Sequence, residues 1–227
     1  TDRRSIKELE RGFTMNQFGD LYSQYYDLLY SDKDYISEVK YVDSLIKANG
    51  KNTKTLLDMG CGTGKHAELF CDMGYEVHGI DLSKGMLKIA ENRRKNKGDS
   101  LSFSQSNIQN LSLNKKFDVV ISLFHVMSYQ NSNSELIKAF EVAKNHLNND
   151  GIFVFDFWYG PAVLTDLPTT RVKRLENENI KVTRIAEPVI YAKKNIVDVN
   201  YDIFIEDKVS NKIIEKLQEV ALSEYDK

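Results

Sequence analysis

Three glycines at alternate positions, Gly60, Gly62 and Gly64, follow the mainly apolar segment 56–59 and precede a segment that favours a helix. Glycine permits a tight backbone turn and leaves room for a ligand beside the main chain. The free N–H groups at a helix N-terminus favour a carboxylate or a phosphate. The spacing Gly-x-Gly-x-Gly differs from the Gly-x-Gly-x-x-Gly of dinucleotide-binding turns. By itself, the run fits either a ligand site or simply a tight turn.

An acidic residue, Asp81, follows the next apolar run, Glu76–Ile80. At the end of such a strand, a carboxylate can accept hydrogen bonds from both ribose hydroxyls of an adenosine-containing cofactor. The alternative is that Asp81 only caps the following helix. Because open α/β sheets bind ligands at the carboxyl ends of their strands, the turn and Asp81 together predict a cofactor site there.

The elements that would position these residues are short apolar runs alternating with helical segments from Thr55 onward, a pattern typical of βαβ units. The predicted strands are Thr55–Met59, Glu76–Ile80, Leu101–Gln105, Phe117–Phe124 and Gly151–Phe157. The predicted helices are Lys65–Met73, Lys84–Arg94, with Ser83 as its N-cap, and Ser134–His146. The pattern predicts an α/β fold, a Rossmann-like, doubly wound and mostly parallel sheet.

The flanking segments have other periodicities. Residues 1–50 favour helices and are predicted to form a lid on the same domain, whose α/β core spans 51–160. Apolar and polar residues alternate over Val197–Ile205, which predicts a half-buried strand. With Ile180–Ile185 and Lys212–Val220 as antiparallel neighbours, residues 161–227 are predicted to form a β cap, which could cover the pocket or form a homodimer interface.

Composition excludes several classes of protein. The 31 basic and 33 acidic side chains give a net charge of −2, which argues against a nucleic-acid groove. No apolar stretch approaches the roughly 18 residues that cross a bilayer, and the charged N-terminal segment is unlike a secretory signal. Two cysteines, Cys61 and Cys71, without metal-ligand spacing, predict a metal-free protein in a reducing compartment, the cytoplasm.

Four sequence blocks resemble the class I S-adenosylmethionine-dependent methyltransferases. The blocks are Leu57-Asp58-Met59-Gly60-Cys61-Gly62-Thr63-Gly64, Val77-His78-Gly79-Ile80-Asp81-Leu82-Ser83 with Met86-Leu87, Phe117-Asp118-Val119-Val120, and Leu147-Asn148-Asn149-Asp150-Gly151-Ile152-Phe153. The resemblance implies a Rossmann-like core that binds S-adenosylmethionine and releases S-adenosylhomocysteine.

The resemblance also implies a role for individual residues. Asp58 and the glycine-rich turn would hold the methionine part of the cofactor, Asp81 the ribose, and Leu82 and Met86 the adenine. The cofactor-binding residues implied are Tyr26, Asp58, Gly60, Cys61, Gly62, Gly64, Asp81, Leu82, Met86, Asn107, Ile108 and Leu123. Asn107 departs from the acidic residue usual at this position, but its amide oxygen can still accept a hydrogen bond from adenine.

The flanks are similar to the small amino-sugar N,N-dimethyltransferases that act on nucleotide-linked deoxy-sugars. The similar segments are Phe18-Gly19-Asp20-Leu21-Tyr22, Tyr26-Asp27-Leu28, Lys33-Asp34-Tyr35, Phe124-His125-Val126-Met127-Ser128-Tyr129 and Asp156-Phe157-Trp158-Tyr159. This resemblance implies methyl transfer to a small-molecule amine. Such sheets normally end in a further helix and an antiparallel hairpin, so the C-terminal part of the core is expected to be incomplete here or its edge built differently.

Methyl transfer from a sulfonium is an in-line displacement that mainly requires alignment and exclusion of water. His125 and Tyr129 follow the fourth predicted strand, where a general base or substrate-orienting pair would lie, and packing is the alternative for each. Trp158 is a candidate substrate platform. Asp156 is a candidate to attract an ammonium substrate, or else a solvated turn residue.

Aromatic residues of the N-terminal segment are candidates for a lid, because aromatic faces favour cations. Phe18 and Tyr22, as substrate-binding residues, and Tyr26 could cover the sulfonium and the substrate. A helix stripe that only packs is the alternative, and packing is the preferred interpretation for Tyr25, Tyr30 and Tyr41. The basic run 93–97 falls at a predicted helix C-terminus and is expected to be a solvated face.

Three other functions stay open on the sequence alone. A small-molecule O-methyltransferase would use the same cofactor site with a stronger base or a metal. A non-catalytic S-adenosylmethionine-binding protein would use its aromatic N-terminal segment for a partner. A nicotinamide-dependent oxidoreductase is disfavoured by the glycine spacing.

Overall fold

Residues 20–95 and 97–224 are described by a computed structural model, and they form two sheets with helices packed around the first. The helices are α1 Asp20–Leu29, α2 Tyr35–Asn49, α3 Lys65–Asp72, α4 Lys84–Arg94, α5 Asn133–His146 and α6 Gly160–Thr165. The core strands are β1 Thr55–Met59, β2 Glu76–Asp81, β3 Leu101–Gln105, β4 Phe117–Ser122 and β5 Leu147–Phe155. The cap strands are β6 Arg171–Glu176, β7 Ile180–Tyr191, β8 Ile196–Asp207 and β9 Lys212–Glu224.

The core strands form a parallel sheet in the order β3-β2-β1-β4-β5, with helices on both faces. Adjacent residues of β1 face opposite sides, as the strand period of two requires. Leu56 packs with Val39 of α2 and Phe70 of α3, whereas Leu57 packs with Val142 of α5. The doubly wound α/β fold predicted from the sequence is therefore confirmed.

Side-chain caps fix where several helices begin. The Ser83 hydroxyl accepts the Met86 N–H at 3.3 Å and starts α4, as the sequence predicts. The carboxylate of Asp34 caps α2 in the same way, and the hydroxyl of Ser132 caps α5. These caps place the helix N-termini of α4 and α5 at one edge of the sheet, where the carboxyl ends of the parallel strands also lie.

The bounds predicted for the fourth and fifth strands are wrong. The fourth strand was expected to reach Phe124, but β4 ends at Ser122 because Phe124 and His125 adopt left-handed backbone conformations, which differ from the extended conformation of a regular strand. The fifth was expected over Gly151–Phe157, but β5 runs from Leu147 to Phe155, beginning directly where α5 ends.

The second sheet is antiparallel in the order β6-β7-β8-β9 and forms the predicted β cap. Neither β6 nor the short helix α6 was predicted from the sequence. Four of the six residues of β6 are charged. The predicted strand Ile180–Ile185 is six residues shorter than the observed β7. The segment after Ile185 contains Pro188, and proline is unusual within a strand. None of the helices in the described ranges is long and apolar enough to span the lipid bilayer.

A charged cluster joins α1 and α4 to the glycine-rich turn. The Arg93 guanidinium donates to the Thr63 carbonyl oxygen at 2.9 Å and to the Glu68 carboxylate at 3.1 Å, and it pairs with Asp27. The Thr63 hydroxyl in turn donates to Asp27 at 2.7 Å. The prediction that the basic run 93–97 forms a solvated face is therefore wrong for Arg93, whose side chain is only 17% exposed.

Replacing Arg93 by alanine should destabilise the protein by about 2 kcal/mol, because three acceptors lose a charged donor. Among the described residues, the neighbouring Arg94 pairs only with Glu91, across one exposed helix turn. Arg94→Ala is therefore the matched control and should change stability by about 0.5 kcal/mol or less. Urea unfolding followed by circular dichroism measures both. Equal losses in the two variants would show that the cluster does not stabilise the fold.

Candidate active site

A cavity of about 1040 Å³ opens at the carboxyl ends of the core strands, between the helices before β1 and the cap. Thirteen of the residues singled out from the sequence line it: Tyr26, Gly60, Cys61, Gly62, Asp81, Leu82, Met86, Asn107, Ile108, Leu123, His125, Tyr129 and Trp158. Asp58, Gly64 and Asp156 do not line it. Phe18 lies outside the described residues, and so does the side chain of Tyr22.

The three glycines of the turn serve different purposes. All three have positive φ angles, of 86°, 55° and 76° at Gly60, Gly62 and Gly64. A Cβ at Gly64 would lie 2.7 Å from the Phe103 ring, so this glycine permits close packing of the turn on the core. A Cβ at Gly62 would meet no atom within 4 Å. Gly62 is therefore the glycine that leaves open space beside the backbone at the cavity.

Asp81 at the end of β2 is bound to the turn. Its Oδ2 accepts the Gly62 N–H at 2.8 Å, and its Oδ1 accepts the Ser83 N–H at 2.8 Å. Burial raises the pKa of this carboxyl group. The carboxylate of Asp81 thus fixes the local turn before α4, whose N-cap is Ser83, and it also lines the cavity.

Asp58 on β1 lies beneath this surface and is 2% exposed. Its Oδ2 has no hydrogen-bond partner among the described residues. Burial, and to a smaller extent the negative charge of Asp81, raise the pKa of Asp58 to about 7. The site therefore contains a buried carboxyl group that changes charge near neutral pH.

The segment after β4 brings two candidate catalytic side chains to the cavity. The His125 ring lies edge-on to Trp158, with 5.9 Å between ring centroids, and its Nδ1 is buried without a hydrogen-bond partner in the described ranges. Burial lowers the pKa of His125, so the imidazole is mainly neutral at pH 7. Burial raises the pKa of Tyr129 far above its usual value, so this phenol keeps its proton.

The lining also includes residues that the sequence analysis did not select. Tyr30 was assigned to packing, but it lines the cavity, with its ring centroid 4.7 Å from that of Tyr26 and 5.0 Å from that of Phe124. Its position one helical turn after Tyr26 was the available signal. Tyr41 was also assigned to packing, but it is 64% exposed.

The cap closes the far side of the cavity with Arg171 of β6 and with Val199 and Tyr201 of β8. No sequence signal selected these residues, because their place at the cavity depends on how the cap packs against the core. That packing is apolar, with Leu29 of α1 and Met86 of α4 buried against Ile203 of β8.

The side chain of Asn107, the candidate neighbour of adenine, forms a local hydrogen bond. Its Oδ1 accepts the Gln109 N–H at 2.8 Å, which leaves this oxygen one further lone pair. Across residues 20–95 and 97–224, no group of three or more His, Cys, Asp or Glu side chains is arranged to hold a metal ion.

Comparisons with known proteins agree with this architecture. The profile of the family described as "Methyltransferase domain" matches residues 56–151. The dTDP-3-amino-3,4,6-trideoxy-alpha-D-glucopyranose N,N-dimethyltransferase of Streptomyces venezuelae is 31% identical over 62% of this chain and 59% of its own length. The dTDP-3-amino-3,6-dideoxy-alpha-D-glucopyranose N,N-dimethyltransferase of Streptomyces fradiae is 28% identical over 79% of this chain and 69% of its own. The chain thus spans about three-fifths of the length of the first of these relatives.

Solved structures share the fold over most of the chain. Streptomyces venezuelae DesVI is 25% identical and superimposes with a TM-score of 0.76, covering 89% of this chain and 83% of DesVI. A sugar N-methyltransferase from Streptoalloteichus is 21% identical with a TM-score of 0.79, covering 95% and 83%. Residues 56–151 match the methyltransferase-domain family, and the sheet order, the glycine-rich turn before α3 and these solved structures agree with that match.

Proposed function

We propose that this chain transfers a methyl group from S-adenosylmethionine to the amine of a small molecule, most specifically a nucleotide-linked amino sugar. The observation that carries the proposal is the hydrogen bond between the Gly62 N–H and the Asp81 carboxylate at the cavity. It joins a glycine-rich turn to an acidic strand end, the pair that an adenosine-containing cofactor requires. The substrate class is supported by the names of the Streptomyces relatives.

The residues at the cavity fit such a cofactor. The open space beside Gly62 admits a ligand against the backbone, and Asp81 offers acceptor oxygens for ribose hydroxyls. Leu82, Met86 and Ile108 provide an apolar surface for adenine, with Asn107 as a polar neighbour. Tyr26 and Leu123 complete the proposed cofactor pocket. The carboxyl group of Asp58 would stabilise the positively charged methionine part from below.

When bound, S-adenosylmethionine supplies a methyl group attached to a positively charged sulfur. The protein must then align the acceptor amine with that methyl group and exclude water. Aromatic rings suit both tasks, since they are apolar and their faces favour cations. Tyr26, Tyr30, Phe124 and Trp158 provide such rings along the cavity wall.

An amine needs one proton acceptor, because it must lose its ammonium proton before it can act as a nucleophile. His125 is proposed for this task, since its lowered pKa keeps the imidazole neutral and able to accept a proton at pH 7. Tyr129 keeps its proton and is proposed to orient the substrate by hydrogen bonding. No metal ion is needed for this chemistry. We place the reaction in the cytoplasm, as the low cysteine content suggests.

A methyl-transfer assay read by product mass tests the proposal. The panel contains S-adenosylmethionine with nucleotide-linked amino sugars, simple amino acids and hydroxyl-bearing analogues of the same sugars. A gain of one or two methyl groups on an amino sugar is expected. A gain on the hydroxyl analogues alone would identify an O-methyltransferase instead, and tight S-adenosylhomocysteine binding with no product would favour a non-catalytic binding protein.

Asp81→Ala should weaken S-adenosylhomocysteine binding by about 1–3 kcal/mol, because hydrogen-bonding groups of ligand and backbone lose their acceptor. Asp118 provides a matched control, since its carboxylate also accepts two backbone N–H groups, those of Lys54 and Thr55, each at 2.9 Å, at the opposite end of the sheet. Asp118→Ala should leave the affinity unchanged. Titration calorimetry measures both, and equal affinities in all three proteins would remove the ribose assignment.

Asp58 should make recognition of the cationic cofactor depend on pH. S-adenosylmethionine and S-adenosylhomocysteine differ by one methyl group and one positive charge. With its pKa raised to about 7, Asp58 is mainly protonated below that pH and carries its charge above it. The ratio of the two affinities should therefore shift toward S-adenosylmethionine between about pH 6 and about pH 8, by on the order of 1 kcal/mol, about fivefold.

Asp58→Asn is the control for this measurement, because an amide of nearly the same shape does not titrate. The sulfonium charge gives the α-amino group of S-adenosylmethionine a lower pKa than that of S-adenosylhomocysteine, and this ligand contribution is the same in both proteins. The shift of the affinity ratio with pH should therefore be larger in the unmodified protein than in the variant. The same pH dependence in both proteins would exclude Asp58 from the cationic part of the site.

A further inference from the structure

Two consecutive non-glycine residues after β4 have left-handed backbone conformations. The φ angles are 67° at Phe124 and 64° at His125. Such angles are uncommon for bulky side chains, because the Cβ atom crowds the backbone. A pair of them persists only where surrounding contacts hold the backbone, and such pairs concentrate at functional sites.

The Asp156 side chain holds this turn. Its Oδ2 accepts the Phe124 N–H at 3.0 Å, and its Oδ1 accepts the His125 N–H at 2.7 Å. Asp156 directly follows β5, and its own N–H donates to the Ser122 carbonyl oxygen at the end of β4. One carboxylate thus satisfies both strained N–H groups from a rigid strand end.

The turn determines where two rings enter the cavity. The Phe124 ring contacts Tyr30 edge-on, and the Lys33 ammonium lies 4.5 Å from its centroid. The His125 ring packs edge-on against Trp158. Both rings line the cavity, whereas Asp156 does not, so the earlier expectation that its carboxylate would attract an ammonium substrate does not fit its position.

We propose that Asp156 is a positioning residue, whose carboxylate fixes the left-handed Phe124–His125 turn so that the His125 imidazole faces the substrate. Its consequence for turnover rests on the function proposed above, whereas its effect on the turn does not. Asp156 also acts on His125 electrostatically, because its negative charge opposes the lowering of the His125 pKa by burial. Two further charges act on the His125 pKa: the positive charge of Lys33 lowers it, and the negative charge of Glu38 on α2 raises it.

Trp158 allows the turn to be observed without a substrate. It is the single tryptophan of the chain, and its ring contacts His125. A protonated imidazole quenches a neighbouring indole, so the pH dependence of the fluorescence reports the charge and the position of His125. His125→Gln should abolish this titration, which assigns it to the histidine.

Asp156→Asn keeps one acceptor oxygen and removes the charge. We expect the fluorescence midpoint to move to lower pH and the quenching amplitude to fall. With the methyl acceptor identified by the assay, kcat should fall by about 100-fold, the loss typical of a displacement of about 1 Å. The affinity for S-adenosylhomocysteine should stay within about twofold, because Asp156 does not line the cavity.

Asp118→Asn is the matched control, since this carboxylate also accepts two backbone N–H groups but lies at the far end of β4. It should leave the midpoint, the amplitude and kcat unchanged. An unchanged midpoint, amplitude and kcat in Asp156→Asn would overturn the proposal. If Asp156→Asn does not fold, Asp156→Glu tests the same point, because it keeps the charge near His125 but displaces the acceptor oxygens, so amplitude and kcat should fall while the affinity persists.

Different results would refute the proposed function and the proposed role of Asp156. Absence of S-adenosylhomocysteine binding and of any methylated product in the unmodified protein would refute the proposed function. The fluorescence titration would still decide whether Asp156 holds the turn.

Discussion

The hydrogen bond between the Gly62 N–H and the Asp81 carboxylate is the interaction on which the arrangement of the site depends. It joins the loop after β1 to the end of β2, two neighbouring parallel strands, at 2.8 Å. The same carboxylate also accepts the Ser83 N–H, so one side chain fixes the glycine-rich turn and the start of α4 together. The position of the cavity floor therefore follows from the sheet register rather than from flexible loops.

A second carboxylate performs a comparable task one strand pair away. Asp156, after β5, holds the backbone beyond β4, as Asp81, after β2, holds the backbone beyond β1. In both cases an aspartate at a strand end accepts backbone N–H groups from the loop of an adjacent parallel strand, one in the case of Asp81 and two in the case of Asp156. Strand ends are rigid, so side chains and backbone presented by these loops are held more firmly than loop residues usually are.

Much of this architecture could be predicted from local patterns. The bounds of β1, β3 and α4 follow from short apolar runs, the glycines and the Ser83 cap, because these signals act within a few residues. The features that were missed depend on contacts between distant segments. β6 is too charged to show a strand pattern, and it forms because β7 offers it an edge to pair with. Tyr30 reaches the cavity only because α1 packs against the cap and Phe124.

The candidate site shows the same contrast between features set by local sequence signals and features set by contacts between distant segments. The sequence identified thirteen of the lining residues, since motif positions at strand ends map directly onto one edge of the sheet. It assigned Asp81 to the ribose and Asp156 to an ammonium substrate or a solvated turn, and it did not predict that Asp156 binds the backbone after β4. Both carboxylates accept backbone N–H groups with both oxygens, and the difference between them is position: Asp81 lines the cavity and Asp156 does not. Asp156 is therefore proposed to shape the site through His125 rather than by contact with a substrate.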